Sequence, residues 1–104
     1  MNDVSKYEKV HLLNYADDRL GHKASVFKES QLALNQSARE HGIQNIVSWG
    51  WTDLVSTQFY NEHRKYLERP YRLNGFVFKP YITLRLLEEI SYGDVILYYD
   101  SGEG

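Results

Sequence analysis

Acidic side chains follow three predicted strands at the points where those strands end. Asp17 comes after the first strand, Asp53 after the second, and Asp100 directly after the last. In open parallel sheets, ligands bind outside the carboxyl ends of the strands, and an acid there can hold a divalent cation or a ribose hydroxyl. An Asp at the end of a strand is also a common loop or cap residue, so each acid taken alone is consistent with either role.

Aromatic residues are the second group with chemical potential. The chain contains nine tyrosines, four phenylalanines and two tryptophans. Because tyrosine combines a large apolar face with a hydroxyl, this excess is typical of a ligand cleft and also of a core whose edges contact water. Trp49 and Trp51 present the same alternatives: they stack on a sugar or a base, or they close the core where the second strand ends.

The common catalytic motifs are missing from the sequence. The chain has no cysteine, which excludes disulfides, thiolate metal sites and cysteine nucleophiles. Its four histidines lack the close spacing of metal ligands, so we expect them to be solvated or at the edge of the core. No P-loop, dinucleotide-binding glycine motif or serine-hydrolase elbow is present. Glu88 and Glu89 point about 100° apart on a predicted helix, which indicates a solvated face rather than a catalytic pair.

Length and composition limit the class of protein. A chain of 104 residues is the size of one domain, so we assign residues 1–104 to a single unit. Hydrophobic residues make up 42% and charged residues 25%, which is ordinary globular usage. The net charge of -2 lacks the basic surface of a nucleic-acid binder. The longest apolar run, Val95 to Tyr99, is too short to span a membrane. We therefore predict a soluble, cytoplasmic domain without a nucleic-acid partner.

The first half of the chain predicts two parallel strands joined by a helix. Lys9 to Tyr15 has a short apolar centre and reads as a strand. Ser25 is a candidate cap for a helix that runs to about His41, with Gly42 as its stop. Ile43 to Trp49 is rich in Ile and Val and reads as the second strand. Because a helix joins the two strands, we expect them to be parallel.

The second half predicts two helices and a final strand. Asp53 is expected to cap a short turn, and Ser56 to cap the next helix. Tyr71 to Phe78 reads as an irregular or extended aromatic segment, and Lys79-Pro80 as the start of the last helix. Val95 to Tyr99 is apolar without interruption, which is typical of a strand in the middle of a parallel sheet. The order β-α-β-α-α-β predicts an α/β domain of three layers around a mainly parallel, Rossmann-like sheet.

The second half also carries a motif pattern. Phe76 to Ile82 contains Lys-Pro-Tyr, and Gly93 to Gly102 runs from Gly-Asp through an apolar strand into Tyr-Tyr-Asp-Ser-Gly. This pattern resembles a signature of bacterial capsule and surface-polysaccharide proteins, in which Gly-Asp leads a strand into Tyr-x-Asp-Ala-Gly. That family is described as glycosyltransferase-like, with a GT-A fold. The resemblance spans essentially all 104 residues, and its specific part is the Lys-Pro-Tyr to Asp-Ser-Gly block.

The resemblance implies a nucleotide-binding half of a GT-A fold that takes a nucleotide-diphospho-sugar in surface polysaccharide synthesis. Asp100 matches the family's strand-end aspartate, which implies binding of Mn²⁺ or Mg²⁺. Lys79 matches the Lys-Pro lysine, which implies either a phosphate contact or a stem that covers the aromatic cluster. Tyr15 and Asp17 lie where such folds hold the base and the ribose. Further candidates for ribose and phosphate contacts are Asp53 and Arg72.

The chain departs from the family pattern in two ways. Only one Asp stands in Asp100-Ser101-Gly102, and Glu103, the second candidate metal ligand, comes one position later than the family's second acid. One carboxylate together with substrate phosphates can still hold Mg²⁺. Family members continue into a half that binds the acceptor, so we expect this chain to lack that half and to self-associate through uncovered apolar surface. The alternative is a non-catalytic binding or assembly module, or a truncated remnant of the family.

Overall fold

The computed structural model describes residues 7–17, 24–68 and 75–100. Within these residues, three strands and four helices form in the order β1 (Val10–Ala16), α1 (Ala24–Glu40), β2 (Asn45–Gly50), α2 (Trp51–Val55), α3 (Gln58–Leu67), α4 (Gly75–Leu87) and β3 (Val95–Asp100). The described part of the chain contains no helix that is both long and apolar enough to cross a membrane.

The three strands form one parallel sheet in the order β2-β1-β3. This confirms the predicted α/β class and the parallel pairing of the first two strands. The prediction that the last strand occupies the middle of the sheet is wrong. β1 is central, and Leu12 to Ala16 are all buried. β3 lies at the edge of the described sheet, and its outward side chains Val95, Leu97 and Tyr99 are exposed.

Helices cover the two faces of β1, which confirms the three layers. Successive side chains of a strand point to opposite faces. Leu13 and Tyr15 therefore belong to one face, where they form the core with residues of α2, α3 and α4: Leu54, Leu67, Phe78, Ile82 and Leu86. Asn14 belongs to the other face and contacts Gln31 of α1. This arrangement agrees with the strand order β2-β1-β3. α1, on one face of the sheet, connects β1 to β2, and α2 to α4, on the other face, connect β2 to β3 on the opposite side of β1.

Gly42 ends α1 as predicted. Its φ is +97°, in the left-handed region that favours glycine. The N–H of Ile43 donates to the carbonyl of Ala38, and the N–H of Gly42 donates to the carbonyl of Arg39. These two bonds form a Schellman motif, which satisfies carbonyls at the end of the helix. Ser25 was predicted as the N-cap, but α1 already includes Ala24, so Ser25 lies inside the helix.

Capping of α2 and α3 differs from the prediction in detail. Gly50 is the N-cap of α2, and Asp53 caps it from the third helical position by accepting a hydrogen bond from the Gly50 N–H. Thr57 caps α3, since its hydroxyl accepts from the N–H of Tyr60 at 3.0 Å. Ser56 was predicted for that role and is instead the last residue of the preceding turn, the C-cap of α2.

α4 begins earlier than predicted. Residues 75–78 are helical rather than irregular, and residues 71–74 of the predicted aromatic segment lie outside the described residues. Pro80 is therefore inside the helix and not in its first turn. Phe78, Ile82 and Leu86 are buried at a spacing of four residues. Extending the helix to include Phe78 buries one more side chain, which offsets the backbone hydrogen bond that Pro80 cannot donate.

Candidate functional site

The carboxyl ends of the three strands meet at one edge of the sheet. Ala16 is opposite Gly50, and Tyr15 is opposite Asp100. Asp17 follows β1 and is half-buried. The acids predicted at three strand ends therefore do lie along the same edge of the sheet. At this edge an open α/β sheet binds ligands.

Within that edge, the gap between β1 and β3 has a special position. The chain leaves β1 toward β2 on one side, and it returns through α2, α3 and α4 to β3 on the other side. The order of strands thus reverses between β1 and β3. Such a switch point is the place where open α/β sheets form a crevice for a ligand. Asp17 and Asp100 stand on its two sides, each at the end of its own strand.

Tyr15, the residue before the last of β1, belongs to the core. Its ring is only 8% exposed and packs against the ring of Phe78, with the two centroids 4.2 Å apart and the planes inclined by 37°. Phe78 belongs to the first half of α4, so this contact fixes that part of the helix over the end of β1. The Tyr15 ring is therefore part of the core. The resemblance had implied that this residue contacts the base or the ribose.

Lys79 lies beside β3 on the same side of the sheet. Its ammonium nitrogen is 5.5 Å from the centroid of the Tyr98 ring. Tyr98 is two residues before Asp100, so the lysine brings a positive charge toward the carboxyl end of β3. The contact agrees with the expectation that Lys79 covers an aromatic side chain.

Asp53 has a local structural role. Its Oδ2 accepts a hydrogen bond from the backbone N–H of Gly50 at 2.8 Å and so satisfies a donor at the start of α2. It follows β2, on the far side of β1 from β3, and β2 and β3 are separated by roughly 10 Å at the usual strand spacing. The structure does not bring Asp53 to the switch point.

The remaining predicted residues are described only in part. Arg72 and Glu103 lie outside the described residues, and Asp100 is placed by its backbone as the last residue of β3. Among the residues that the structure describes, no group of three or more His, Asp or Glu side chains is arranged to hold a metal ion. Of the predicted set, Tyr15, Asp17 and Asp100 lie at or next to the carboxyl ends of β1 and β3, and Lys79 lies beside Tyr98 of β3.

A buried amide network, which the sequence did not reveal, holds α1 on the sheet behind this edge. Gln31 donates to the Asn14 side-chain oxygen at 2.9 Å and to the Trp49 carbonyl at 3.0 Å. Asn14 donates to Asn35 at 2.8 Å, and Asn35 donates to the Ser48 hydroxyl at 2.8 Å. Buried amides are stable only when they are paired in this way. The spacing of α1 placed Gln31 on its inner face, but nothing in the sequence named its partners.

His11 and Asp94 form a pair at the opposite edge of the sheet. His11 Nε2 is 2.8 Å from Asp94 Oδ2, and the two side chains are 14% and 10% exposed. This histidine lies at the edge of the core, as expected for the four histidines, but it has an acidic partner that the sequence analysis missed. The pair joins the amino end of β1 to the residue before β3. It is about 20 Å from the carboxyl edge at the usual rise per strand residue, so it is not part of the candidate site.

Aromatic rings line the β2 side of the α2–α4 layer. Phe59 and Tyr81 stack with centroids 4.0 Å apart, and Trp49 meets Tyr81 edge-on at 6.3 Å. The Arg85 guanidinium lies 5.5 Å from the centroid of Trp49 and donates to the Tyr81 hydroxyl at 3.1 Å, which raises the pKa of Arg85. Trp49 and Trp51 are both half-buried and pack against the core. They close the core at this end of β2, one of the two predicted roles.

An exposed polar group marks the end of α3. Tyr60 donates its hydroxyl proton to Glu68, and Arg64 Nε donates to the same carboxylate oxygen at 3.1 Å. The hydrogen bond to Glu68 raises the pKa of Tyr60, and the bonds from Tyr60 and Arg64 lower the pKa of Glu68. This group lies on the surface of α3 and not at the carboxyl edge of the sheet.

Comparison with known proteins identified no relative of this chain. The chain matches no family model, no curated protein and no solved structure. The candidate site consequently rests on the geometry of the sheet and on the residues around its switch point.

Proposed function

We propose that this chain binds a nucleotide-diphospho-sugar in the gap between β1 and β3, as the nucleotide-binding part of a glycosyltransferase-like protein of surface polysaccharide synthesis. One observation carries the proposal. The strand order β2-β1-β3 creates a switch point, and Asp17 and Asp100 end the two strands that flank it. The resemblance of the Lys-Pro-Tyr to Asp-Ser-Gly block to capsule proteins supports the choice of ligand. The proposed location is the cytoplasm, in keeping with a chain that has no cysteine.

Each of the described residues near the gap has a separate role in this proposal. Asp17 is half-buried after β1 and accepts hydrogen bonds from the ribose hydroxyls. Lys79 supplies a cation on the β3 side, where the negative diphosphate is held. Tyr15 does not touch the ligand. It packs against Phe78 and so keeps the first half of α4, with Lys79, over the end of the sheet.

A divalent cation is a separate part of the proposal. Asp100 and Glu103 are the residues that would hold Mn²⁺ or Mg²⁺, because carboxylate oxygens are the ligands these ions prefer. When bound, such an ion neutralises the charge that develops on a departing nucleoside diphosphate. Nucleotide binding and metal binding are therefore tested separately.

The test is a thermal-shift series with UDP, GDP, CDP and dTDP and their sugars, each with and without Mn²⁺. A ligand at about 100 times its Kd adds about 2.7 kcal/mol to the stability of the native state. In a domain of this size we expect a rise in Tm on the order of 10 °C for one nucleotide. A well-folded sample whose Tm is unmoved by every nucleotide would overturn the proposal.

Variants of residues beside the gap between β1 and β3 test whether the nucleotide binds there. Lys79→Ala should weaken binding of the matching nucleotide with or without metal, whereas Lys28→Ala, an exposed lysine of α1, should leave it unchanged. Asp100→Ala should remove only the metal-dependent part, with Glu29→Ala on α1 as the matched loss of an acid. Equal binding by Asp100→Ala and Glu29→Ala in the presence of Mn²⁺ would exclude Asp100 as a metal ligand.

A second function, a non-catalytic binding or assembly module, is supported by a different observation. The outward face of β3 exposes Val95, Leu97 and Tyr99, and large exposed apolar surfaces mark interaction sites. A protein that self-associates and shows no shift in the nucleotide series would favour this second function over the first.

A further inference from the structure

Exposed apolar side chains concentrate on one segment of the chain. Among the residues that the structure describes, nine large hydrophobic side chains are exposed, and six of them lie between the end of α4 and the end of β3. These six are Leu84, Leu87, Tyr92, Val95, Leu97 and Tyr99. The three on β3, Val95, Leu97 and Tyr99, share one face of the strand and are here called the β3 patch. Single exposed hydrophobic residues are ordinary, but a concentration of this kind marks an interaction surface.

β3 also has none of the features that protect an edge strand. Natural edges carry lysine, proline, bulges or very short strands, which prevent pairing with another chain. The six residues of β3 are Val-Ile-Leu-Tyr-Tyr-Asp, and only the last is charged. On the other edge, β2 includes polar residues such as Asn45 and Ser48, and Arg85 lies over Trp49. The two edges of the sheet are therefore unlike, and β3 is the one suited to further pairing.

The open face of β3 lies on the α1 side of the sheet. Leu97 is opposite Leu12, and Tyr99 is opposite Asn14. α1 covers Leu12 and Asn14, which are buried, but Leu97 and Tyr99 remain 40% and 57% exposed. The apolar stripe of β3 thus extends past the surface that α1 covers.

We propose that two copies of this chain pair through their β3 strands, antiparallel about a two-fold axis at Leu97, and so join their sheets into one of six strands. In that register Leu97 faces its own copy, Val95 faces Tyr99, and Ile96 faces Tyr98. Every one of these pairs is apolar, and two of them combine a β-branched residue with an aromatic one, a favourable cross-strand combination. A closed two-fold contact of this kind is the commonest way in which soluble proteins form homo-oligomers.

Other registers fit less well. A shift by one residue would place inward and outward side chains opposite each other, which a sheet with one packed face excludes. A shift by two residues would set Ile96 opposite Asp100 in one direction and Tyr98 opposite Asp94 in the other. In the register at Leu97, Asp100 falls opposite Asp94, whose carboxylate already binds His11 at 2.8 Å. That bond reduces the repulsion between the two acidic ends.

The β3 patch is smaller than a standard interface, which predicts a weak dimer. Leu84 and Leu87 do not belong to this patch, because they are on α4, which packs with Tyr98 on the opposite face of the sheet. The three side chains of the patch are about half exposed, which amounts to on the order of 300 Å² per copy at about 150–250 Å² for a large side chain. A standard interface buries about 800 Å² per partner. Even with the backbone of the paired strands, the contact is smaller than this, so we expect the dimer to form only at high protein concentration.

Sedimentation velocity or light scattering over a wide range of protein concentration tests the proposal without any nucleotide. We expect a mass twice that of the 12.2 kDa chain at high concentration and no larger species, because two-fold pairing uses the β3 edge of both copies. Leu97→Lys should raise the dimer dissociation constant by about tenfold or more. Leu32→Lys, at an exposed leucine of α1, is the matched control and should dimerise like the unchanged protein. A monomer at every concentration, or open-ended growth, would overturn the proposal.

A crosslinking experiment fixes the register and does not depend on the folding of Leu97→Lys. Because the chain has no cysteine, Leu97→Cys introduces a single thiol, and in the proposed register it faces its own copy. Mild oxidation should therefore convert Leu97→Cys rapidly into a disulfide-linked dimer, whereas Leu32→Cys should react slowly. Equal rates for the two variants would exclude β3 pairing at Leu97.

Discussion

His11 Nε2 lies 2.8 Å from Asp94 Oδ2 across two strands that are parallel neighbours in the sheet and lie at opposite ends of the sequence. Next to this pair, the N–H of Val95 donates to the carbonyl of Lys9 at 2.8 Å. Together these bonds attach the start of β3 to the start of β1. The edge strand that carries the β3 patch is thus held at its amino end by a side-chain pair as well as by the sheet.

Asp94→Ala should destabilise the fold by about 1–3 kcal/mol, because it leaves the half-buried His11 without its acceptor. The free energy of unfolding in urea measures this. Glu29→Ala on α1 removes an exposed acid and should change stability by less than about 0.5 kcal/mol. Equal stability of the two variants would show that the pair contributes nothing.

Gln31→Leu should cost about 2–3 kcal/mol, because the Asn14 side-chain oxygen and the Trp49 carbonyl lose their donor inside the protein. Chemical denaturation gives the value. Gln36→Leu is the matched control on the same helix, since Gln36 is exposed and donates only to Glu40. The idea fails if the two leucine variants unfold at the same urea concentration.

Gly42→Ala should cost more than Gly93→Ala, although both glycines have positive φ, +97° and +95°. Each substitution strains the backbone by about 1 kcal/mol. At Gly42 the new Cβ would also lie 3.1 Å from the Tyr7 ring, whereas at Gly93 nothing lies within 4 Å. Thermal unfolding of both variants measures the difference. Repeating the pair in a Tyr7→Ala background should remove most of it, and an unchanged difference there would exclude crowding by Tyr7.

Glu68→Gln should lower the pKa of Tyr60, because the hydrogen bond to the Glu68 carboxylate is the main cause of its raised value. Titration of the tyrosine ring carbons by NMR follows this directly. Glu62→Gln, on the exposed side of the same helix, should leave Tyr60 unchanged. A Tyr60 titration that is the same in both variants would contradict the assignment.

The same group has a defined effect on stability against pH. The pKa of Glu68 is lowered in the folded protein, so its contribution is present above the ordinary value of 4.5. The contribution is lost as the pH falls through the lowered pKa. Because the group is exposed, we expect the effect to be small and to shrink further in salt.

The sequence was sufficient for features that depend on local pattern or on chain order. The Gly42 stop follows from a helical period that ends at a glycine, and the gathering of Asp17 and Asp100 at one edge follows from parallel strands. The position of β3 at the edge of the described sheet could not be predicted in this way. An unbroken apolar run has the same appearance whether both faces of the strand are covered or one remains open, as it does at Leu97 and Tyr99.

Two other errors have tertiary causes. The rule that proline opens a helix placed the start of α4 at Pro80, but burial of Phe78 with Ile82 extended the helix upstream. The His11–Asp94 pair could be found only by knowing the register of β1 against β3, which no local pattern contains. Within the candidate site, the strand ends were predictable, whereas the burial of the Tyr15 ring depended on where α4 crosses the sheet.

The strand order has a consequence for the way in which the chain folds. β1 pairs with β2 across about 35 residues and with β3 across about 85, and the entropy lost on closing a loop grows with its length. The β1-α1-β2 unit is therefore the cheaper one to form, and β3 joins it afterwards. Until β3 arrives, the central strand keeps one unpaired edge of its own. The slowest step of folding is then the docking of β3 onto β1. β3 is also the strand whose outer edge is most prone to pair with another chain.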